Sequence, residues 1–135
     1  MNKVMAFGTF DLFHKGHVNY LKQAKSYGGE LVVVVSRDVN VERFKDKKPV
    51  HSEEERLENV ERCEYVDKAM LGNKDDILKV VVEERPDFIC LGYDQRVDEK
   101  DLRKELKERG LFDFAVVRAE PYKPEKYKTS KLRED

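Results

Sequence analysis

The chain has 135 residues, 39% hydrophobic and 41% charged, and its 27 Lys plus Arg against 28 Asp plus Glu leave a net charge of −1. That length predicts a single domain over residues 1–135, which buries about two thirds of its unfolded surface and so holds an ordinary core without staples. Balanced charge excludes a globally basic nucleic-acid binder, recurrent apolar runs exclude intrinsic disorder, and the absence of a long apolar run or a charged-then-apolar leader leads us to expect a cytoplasmic protein with no membrane or nucleic-acid partner.

The first apolar run, residues 4–7, reads as a strand closed by Gly8. A helical pattern follows over 16–27, with Val18, Leu21 and Ala24 on one face and Gly28-Gly29 as its stop. Residues 31–35 are five consecutive apolar residues, four of them valine, the pattern of a strand buried on both faces of a parallel sheet. A charged loop is expected over 37–50. Ser52 then opens a helix, with Glu55 completing a capping box and Leu57 and Val60 facing inward; it stops near Cys63.

A weaker strand is expected over 65–71, ended by Gly72, and a helix from Asp75-Asp76 through Val82, halted by Pro86. Residues 88–91 form the next strand before Gly92. A charged helix over 98–109 stops at Gly110, residues 114–117 make the last strand, and residues 129–135 begin a final helix. Cys63 and Cys90 read as two small buried hydrophobes. This alternation is α/β: a parallel five-stranded sheet with helices on both faces, three layers deep. Ligands in such sheets bind beyond the carboxyl ends of the strands, so the loops after 7, 35, 91 and 117 carry the candidates.

The loop after the first strand runs Gly8-Thr9-Phe10-Asp11-Leu12-Phe13-His14-Lys15-Gly16-His17. His14 and His17, three apart where a helix begins, point to one side of its first turn. Gly16 between them leaves room against the backbone. A helix N-terminus offers free N–H groups and partial positive charge, and two imidazoles beside it complete a set of donors for phosphate oxygens. A lone histidine here reads as a surface or capping residue; the pair, with the glycine and the strand-loop-helix setting, reads as a site. Without a third His or a Cys nearby, no metal site is expected.

Those residues resemble the HxGH motif of the nucleotidylyltransferase superfamily. The form GTFDxxHxGH is similar to its small cytidylyltransferase-like branch, which includes glycerol-3-phosphate cytidylyltransferases, the nucleotidyl domain of ADP-heptose synthases and archaeal FAD synthetases. The resemblance implies a Rossmann-like fold, a nucleoside triphosphate and a phosphate-bearing acceptor. An acceptor phosphate oxygen would attack the α-phosphorus in line and release pyrophosphate, a reaction that needs fixed cationic donors. It also implies catalytic roles for His14 and His17, and nucleotide contacts from Gly8, Thr9, Phe10, Lys15 and Gly16, with Asp11 on the acceptor side.

Arg43, Lys45, Lys47 and Lys48 crowd the loop before Pro49. Composition alone allows a plain solvated loop. The order Lys45-Asp46-Lys47-Lys48-Pro49, then Ser52 and Glu54-Glu55-Arg56, resembles the family's basic loop and following helix. That resemblance assigns phosphate neutralisation to Lys45 and Lys47 and acceptor binding to Lys48. Arg56 either reaches back toward the site or makes a surface ion pair.

Gly92-Tyr93-Asp94-Gln95 is either a plain turn or a close approach to ribose or base. It resembles the archaeal FAD synthetase loop more than the GDDW form of cytidylyltransferases, and Glu64 stands before Tyr65-Val66-Asp67 where those enzymes carry Arg. The resemblance gives Gly92, Tyr93 and Asp94 to the nucleotide. Thr129 and Ser130 occupy the place of the family's late hydroxyl motif, as phosphate ligands or as ordinary helix caps; Tyr122 and Lys123 replace its preceding arginine.

The resemblance implies AMP transfer from ATP to FMN, giving FAD and pyrophosphate, with a divalent cation (Mg²⁺) bound alongside the triphosphate, in a homodimer. The alternatives are a CTP-dependent cytidylyltransferase acting on glycerol 3-phosphate or a similar phosphorylated alcohol, and a non-catalytic nucleotide-binding module.

Overall fold

The computed structural model describes residues 2–45 and 48–121. Its elements run β1 (Lys3–Gly8), α1 (Lys15–Lys25), β2 (Glu30–Val35), α2 (Asp38–Lys45), α3 (Glu53–Glu61), β3 (Lys68–Leu71), α4 (Lys79–Glu84), β4 (Phe88–Leu91), α5 (Glu99–Glu108) and β5 (Ala115–Arg118). The five strands lie in the order β3-β2-β1-β4-β5, every neighbouring pair parallel.

Side chains alternate across this sheet with period two. Val4, Ala6, Leu31, Val33, Val35 and Cys90 face one way, onto Leu21 and Ala24 of α1 and Val60 of α3. Met5, Val32, Val34, Ile89, Leu91 and Val116 face the other, onto Val81 of α4 and Leu106 of α5. The valine run of β2 is buried throughout, as a strand covered on both faces requires. At the opposite edge of the layer the turn before β2 runs tightly against the start of β1. Asn2 O accepts from Gly29 N and Glu30 N, and a Cβ on Gly28 would lie 2.6 Å from that same carbonyl.

Several expected boundaries move. The charged loop over 37–50 contains α2, an eight-residue helix whose first turn is seeded by Arg37 O, which accepts from Asn40 N and Val41 N. Val41 buries its side chain while Val39 is exposed, and apolar residues so sparse among charges are too weak a periodic signal to read. The helix expected from Asp75 begins only at Lys79. Asn73 Oδ1 accepts from both Asp75 N and Asp76 N, and Asp76 Oδ1 from Leu78 N, so local side-chain turns occupy the donors first. The strand expected from Tyr65 begins at Lys68. Asp67 turns its carboxylate to Leu31 N and Lys25, and Val66 N closes a turn on Cys63 O. Cys90 is buried and its thiol is pushed up to about 11 by burial, but Cys63 is only half-buried. Residues 129–135, expected as a last helix, lie outside the described residues.

The strand order reverses between β1 and β4. Their pairing ends at Ala6↔Cys90, although β1 stays paired with β2 to Gly8↔Val35 and β4 with β5 to Leu91↔Arg118. Parting of the two central strands opens a crevice at their carboxyl ends, the place where ligands of such sheets bind.

Candidate active site

The loop from β1 to α1 is strained and then fastened. Phe10 and Leu12 both have left-handed backbone, φ 56° and 52°, which costs a non-glycine residue about 1–3 kcal/mol each and persists only where surroundings enforce it. Phe10 is 3% exposed and packs its ring over Gly8, where an added Cβ would lie 2.9 Å from the ring; that contact is why glycine ends the strand. The same ring stacks with Tyr20 (centroids 6.2 Å apart) and meets His17 edge-on at 5.5 Å. Asp11, 4% exposed, accepts from Val50 N at 2.7 Å and His51 N at 3.0 Å. Its carboxylate holds the approach to α3.

His14 is the N-cap of α1. Its Nδ1 accepts from Gly16 N at 3.0 Å, and His17 Nδ1 accepts from His14 N at 3.2 Å, a reciprocal capping box made by two imidazoles. The rings stack with centroids 3.9 Å apart. Because each Nδ1 receives an N–H, the proton of each neutral ring sits on Nε2. Partial burial lowers the pKa of His14 from 6.5. The cationic pair expected from the motif is therefore, at His14, a neutral donor at pH 7; close stacking would also oppose two charges.

A second constraint was half-read. Arg56 is 0% exposed, deeper than a surface ion pair. Its Nη1 donates to Thr9 O at 2.8 Å and Ser36 O at 2.9 Å, its Nε to His51 O at 3.2 Å, and its Nη2 to Asp38 Oδ1 at 2.5 Å. Glu53 joins the cluster, accepting from Asp38 N and from Arg37 Nη1, while Glu53 N donates back to Asp38. One guanidinium thus ties the loop after β1, the loop after β2 and the start of α3. Sequence alone left Arg56 between a reach back toward the site and a surface ion pair; it reaches back, to the Thr9 carbonyl, from a buried place one turn after the Ser52 cap.

Lys15 and Lys48 are exposed, Asp94 is exposed and Tyr93 half-buried. Gly92 keeps its N–H on Gln95 Oε1 and its carbonyl on Arg118 Nη1, so its own backbone polar groups are engaged. Arg118, unremarked in sequence, also donates to Gln95 O and Val97 O and so binds the 92–97 loop to β5. Lys45 ends α2, but its side chain lies outside the described residues, as do Lys47, Thr129 and Ser130. Beside the loop, Leu12, Phe13, Val18, His51, Asn59, Arg62, Cys63 and Glu64 line an open cavity of about 780 Å³. No group of three His, Cys, Asp or Glu among the described residues is arranged to hold a metal ion.

A family model for cytidylyltransferase-like proteins matches residues 5–135. The chain belongs to that family. Its relatives include the FAD synthase of Aciduliprofundum boonei, 50% identical over 90% of this chain and 80% of that one, and the FAD synthase of Methanothermus fervidus, 52% identical over 88% and 83%. Among solved structures, a protein of Thermoplasma volcanium described as a lipopolysaccharide core biosynthesis protein superposes with a TM-score of 0.86. It is 43% identical over 90% of this chain and 98% of that one. A protein of unknown function from Archaeoglobus fulgidus, 19% identical, shares the fold with a TM-score of 0.70 over 87% of this chain and 89% of that one. Within this cytidylyltransferase-like chain the HxGH residues His14 and His17 cap the first helix of the motif reciprocally.

Two outcomes are expected. Arg56→Met leaves three carbonyls and the Asp38 carboxylate without their donor and should cost about 3 kcal/mol; Arg56→Lys should recover only part, since one ammonium cannot span the fork. Urea unfolding measures both, and a loss below about 1 kcal/mol for the methionine variant would contradict the structural role. Folding lowers the pKa of His14. The stability it contributes is therefore complete above 6.5 and is lost as pH falls below that value through the lowered pKa. Nitrogen-15 spectra at pH 7 should show its Nδ1 unprotonated, with a midpoint below 6.5; a midpoint at or above 6.5 would overturn the assignment.

Proposed function

We propose that the chain is an FMN adenylyltransferase: it transfers AMP from ATP to FMN, producing FAD and pyrophosphate. The observation that carries the reaction class is the stacked His14–His17 pair, capped so that both Nε2–H groups are donors at the head of α1. An FMN phosphate oxygen attacks the α-phosphorus, a new P–O bond forms, and the bond to the bridging oxygen breaks as pyrophosphate departs. Negative charge builds on the phosphoryl oxygens during this exchange. Preoriented N–H donors stabilise it without reorganising, as an oxyanion hole does.

The substrates rest on the relatives, FAD synthases at 47–52% identity over most of this chain. The base choice is supported by Glu64, whose carboxylate lines the cavity beside Leu12 and Phe13 and supplies no donor to the O2 and N3 of cytosine. With both polar groups of Gly92 engaged, the adenine meets this loop at Tyr93 and Asp94 in our reading. Lys45, Lys47, Lys48, Thr129 and Ser130 supply phosphate contacts on the family resemblance. The divalent cation implied by the family resemblance is Mg²⁺, which keeps its waters and is commonly held by substrate phosphates. It would screen the charge of the triphosphate there. A single domain, read from chain length, a cytoplasmic site of action, read from the apolar patterning, and homodimeric assembly, read from the family resemblance, complete the proposal.

The test is FAD formation from ATP and FMN with Mg²⁺, followed by chromatography, with CTP and glycerol 3-phosphate in parallel. ATP with FMN should give the higher kcat/KM. A higher value for the CTP reaction would assign the chain to cytidylyl transfer, and nucleotide binding without pyrophosphate release would make it a non-catalytic module. Because His14 also caps α1, His14→Asn is the informative variant. Asparagine is a good cap, so stability should hold within about 0.5 kcal/mol. Turnover should fall by on the order of 10²-fold, the scale for one lost transition-state donor.

A further inference from the structure

The crevice between β1 and β4 is held open by a side chain. One more rung after Ala6↔Cys90 would pair Phe7 with Leu91, and in a parallel ladder that rung requires the Gly92 N–H to bond the Phe7 carbonyl. Instead the carboxamide of Gln95 stands between them. Its Oε1 accepts from Gly92 N at 2.9 Å and its Nε2 donates to Phe7 O at 2.7 Å. The polarity is forced, because an amide N–H only donates and a carbonyl only accepts. The other half of the same missing rung, Phe7 N to Cys90 O, is bridged likewise by the Tyr20 hydroxyl, which accepts from Phe7 N at 3.1 Å and donates to Cys90 O at 2.6 Å. Burial pushes the Tyr20 phenol up, which keeps it a neutral hydroxyl. Arg118 then fixes Gln95 from behind through its carbonyl.

We propose that Gln95 is a positioning residue that sets the width of this crevice, and with it the separation between the Gly8–Phe10 backbone and the 92–94 loop. Resting on the adenylyl-transfer reading, these two loops flank the bound ATP. Without the inserted amide, Phe7 O and Gly92 N close on each other or are left unpaired; either outcome moves one loop relative to the other. Displacements on the scale of an ångström cost on the order of 10²-fold in a preorganised site.

Gln95→Met and Gln95→Glu separate positioning from simple stability. Methionine fills the space and makes neither bond. Glutamate accepts from Gly92 N but, ionised, presents a second acceptor to Phe7 O; protonated, it donates there and restores the bridge. At pH 8 both variants should remain folded, shift the Phe7 and Gly92 amide resonances, bind ATP at least ~10-fold more weakly and turn over at least ~10-fold more slowly than the parent. As pH is lowered toward 5.5, the glutamate variant should regain ATP affinity relative to the parent while the methionine variant does not. Parent-like ATP affinity and turnover in either folded variant, or a glutamate deficit that does not change with pH, would overturn the proposal. Should the methionine variant not fold, the pH-dependent recovery of the glutamate variant decides alone. Absence of FAD from the parent enzyme would refute the adenylyl-transfer reading, while ATP affinity and the two amide resonances would still judge Gln95.

Discussion

The candidate site depends on one buried charge. Arg56, without solvent exposure, gives its guanidinium hydrogens to backbone carbonyls of three separate segments and to Asp38. Burying a cation is expensive unless its donors are met and an anion stands close, so the segments must converge where they do for the arginine to be tolerated. The carbonyls of Thr9, Ser36 and His51 come from the loop after β1, the loop after β2 and the lead into α3. A planar fork with five N–H groups suits this task, whereas an ammonium is a single point. The arrangement converts a local chemical demand into the relative placement of three loops.

The same economy recurs at the head of α1. An N-cap is ordinarily a short polar side chain, and here it is an imidazole whose neighbour reciprocates. Tying both Nδ1 atoms to the backbone settles which nitrogen carries the proton and where each ring points. Loss of either ring with no capping side chain in its place therefore disturbs the helix start. Left-handed backbone at Phe10 and Leu12 belongs to the same compromise: the loop accepts local strain to bring Phe10 over Gly8 and Asp11 down to residues 50–51.

Much of this was legible in the sequence, for identifiable reasons. The valines of β2, the Ser52–Glu55 box and the glycine after each of β1 and β4 are short-range signals, and the elements they mark stand where expected. The HxGH residues stand together because a three-residue spacing at a helix start leaves little freedom. What escaped depends on distant partners. Arg56 is indistinguishable from a surface arginine until Ser36 and Thr9 are folded beside it. Tyr20 sits on the inward face of α1, where an aromatic reads as packing, and its hydroxyl acquires meaning only against β1 and β4. The bonds from Val50 N and His51 N to Asp11 span 39 and 40 residues and leave no local trace.

The grip of Asp11 on Val50 and His51 has a consequence for how this fold can change. Asp38 is held by Arg56 at one end of the intervening chain, and Val50 is held by Asp11 at the other. The span between them is a bridge with both abutments set in the core of the domain. Loop-closure entropy grows only slowly with length, so residues added or removed between the end of α2 and Val50 carry a small thermodynamic penalty while both ends stay in register. The length of this connection can then drift with the histidine pair, the strained loop and the sheet left untouched. Descendants of one ancestral domain can in this way differ in the lead into α3 while keeping a common floor beneath it.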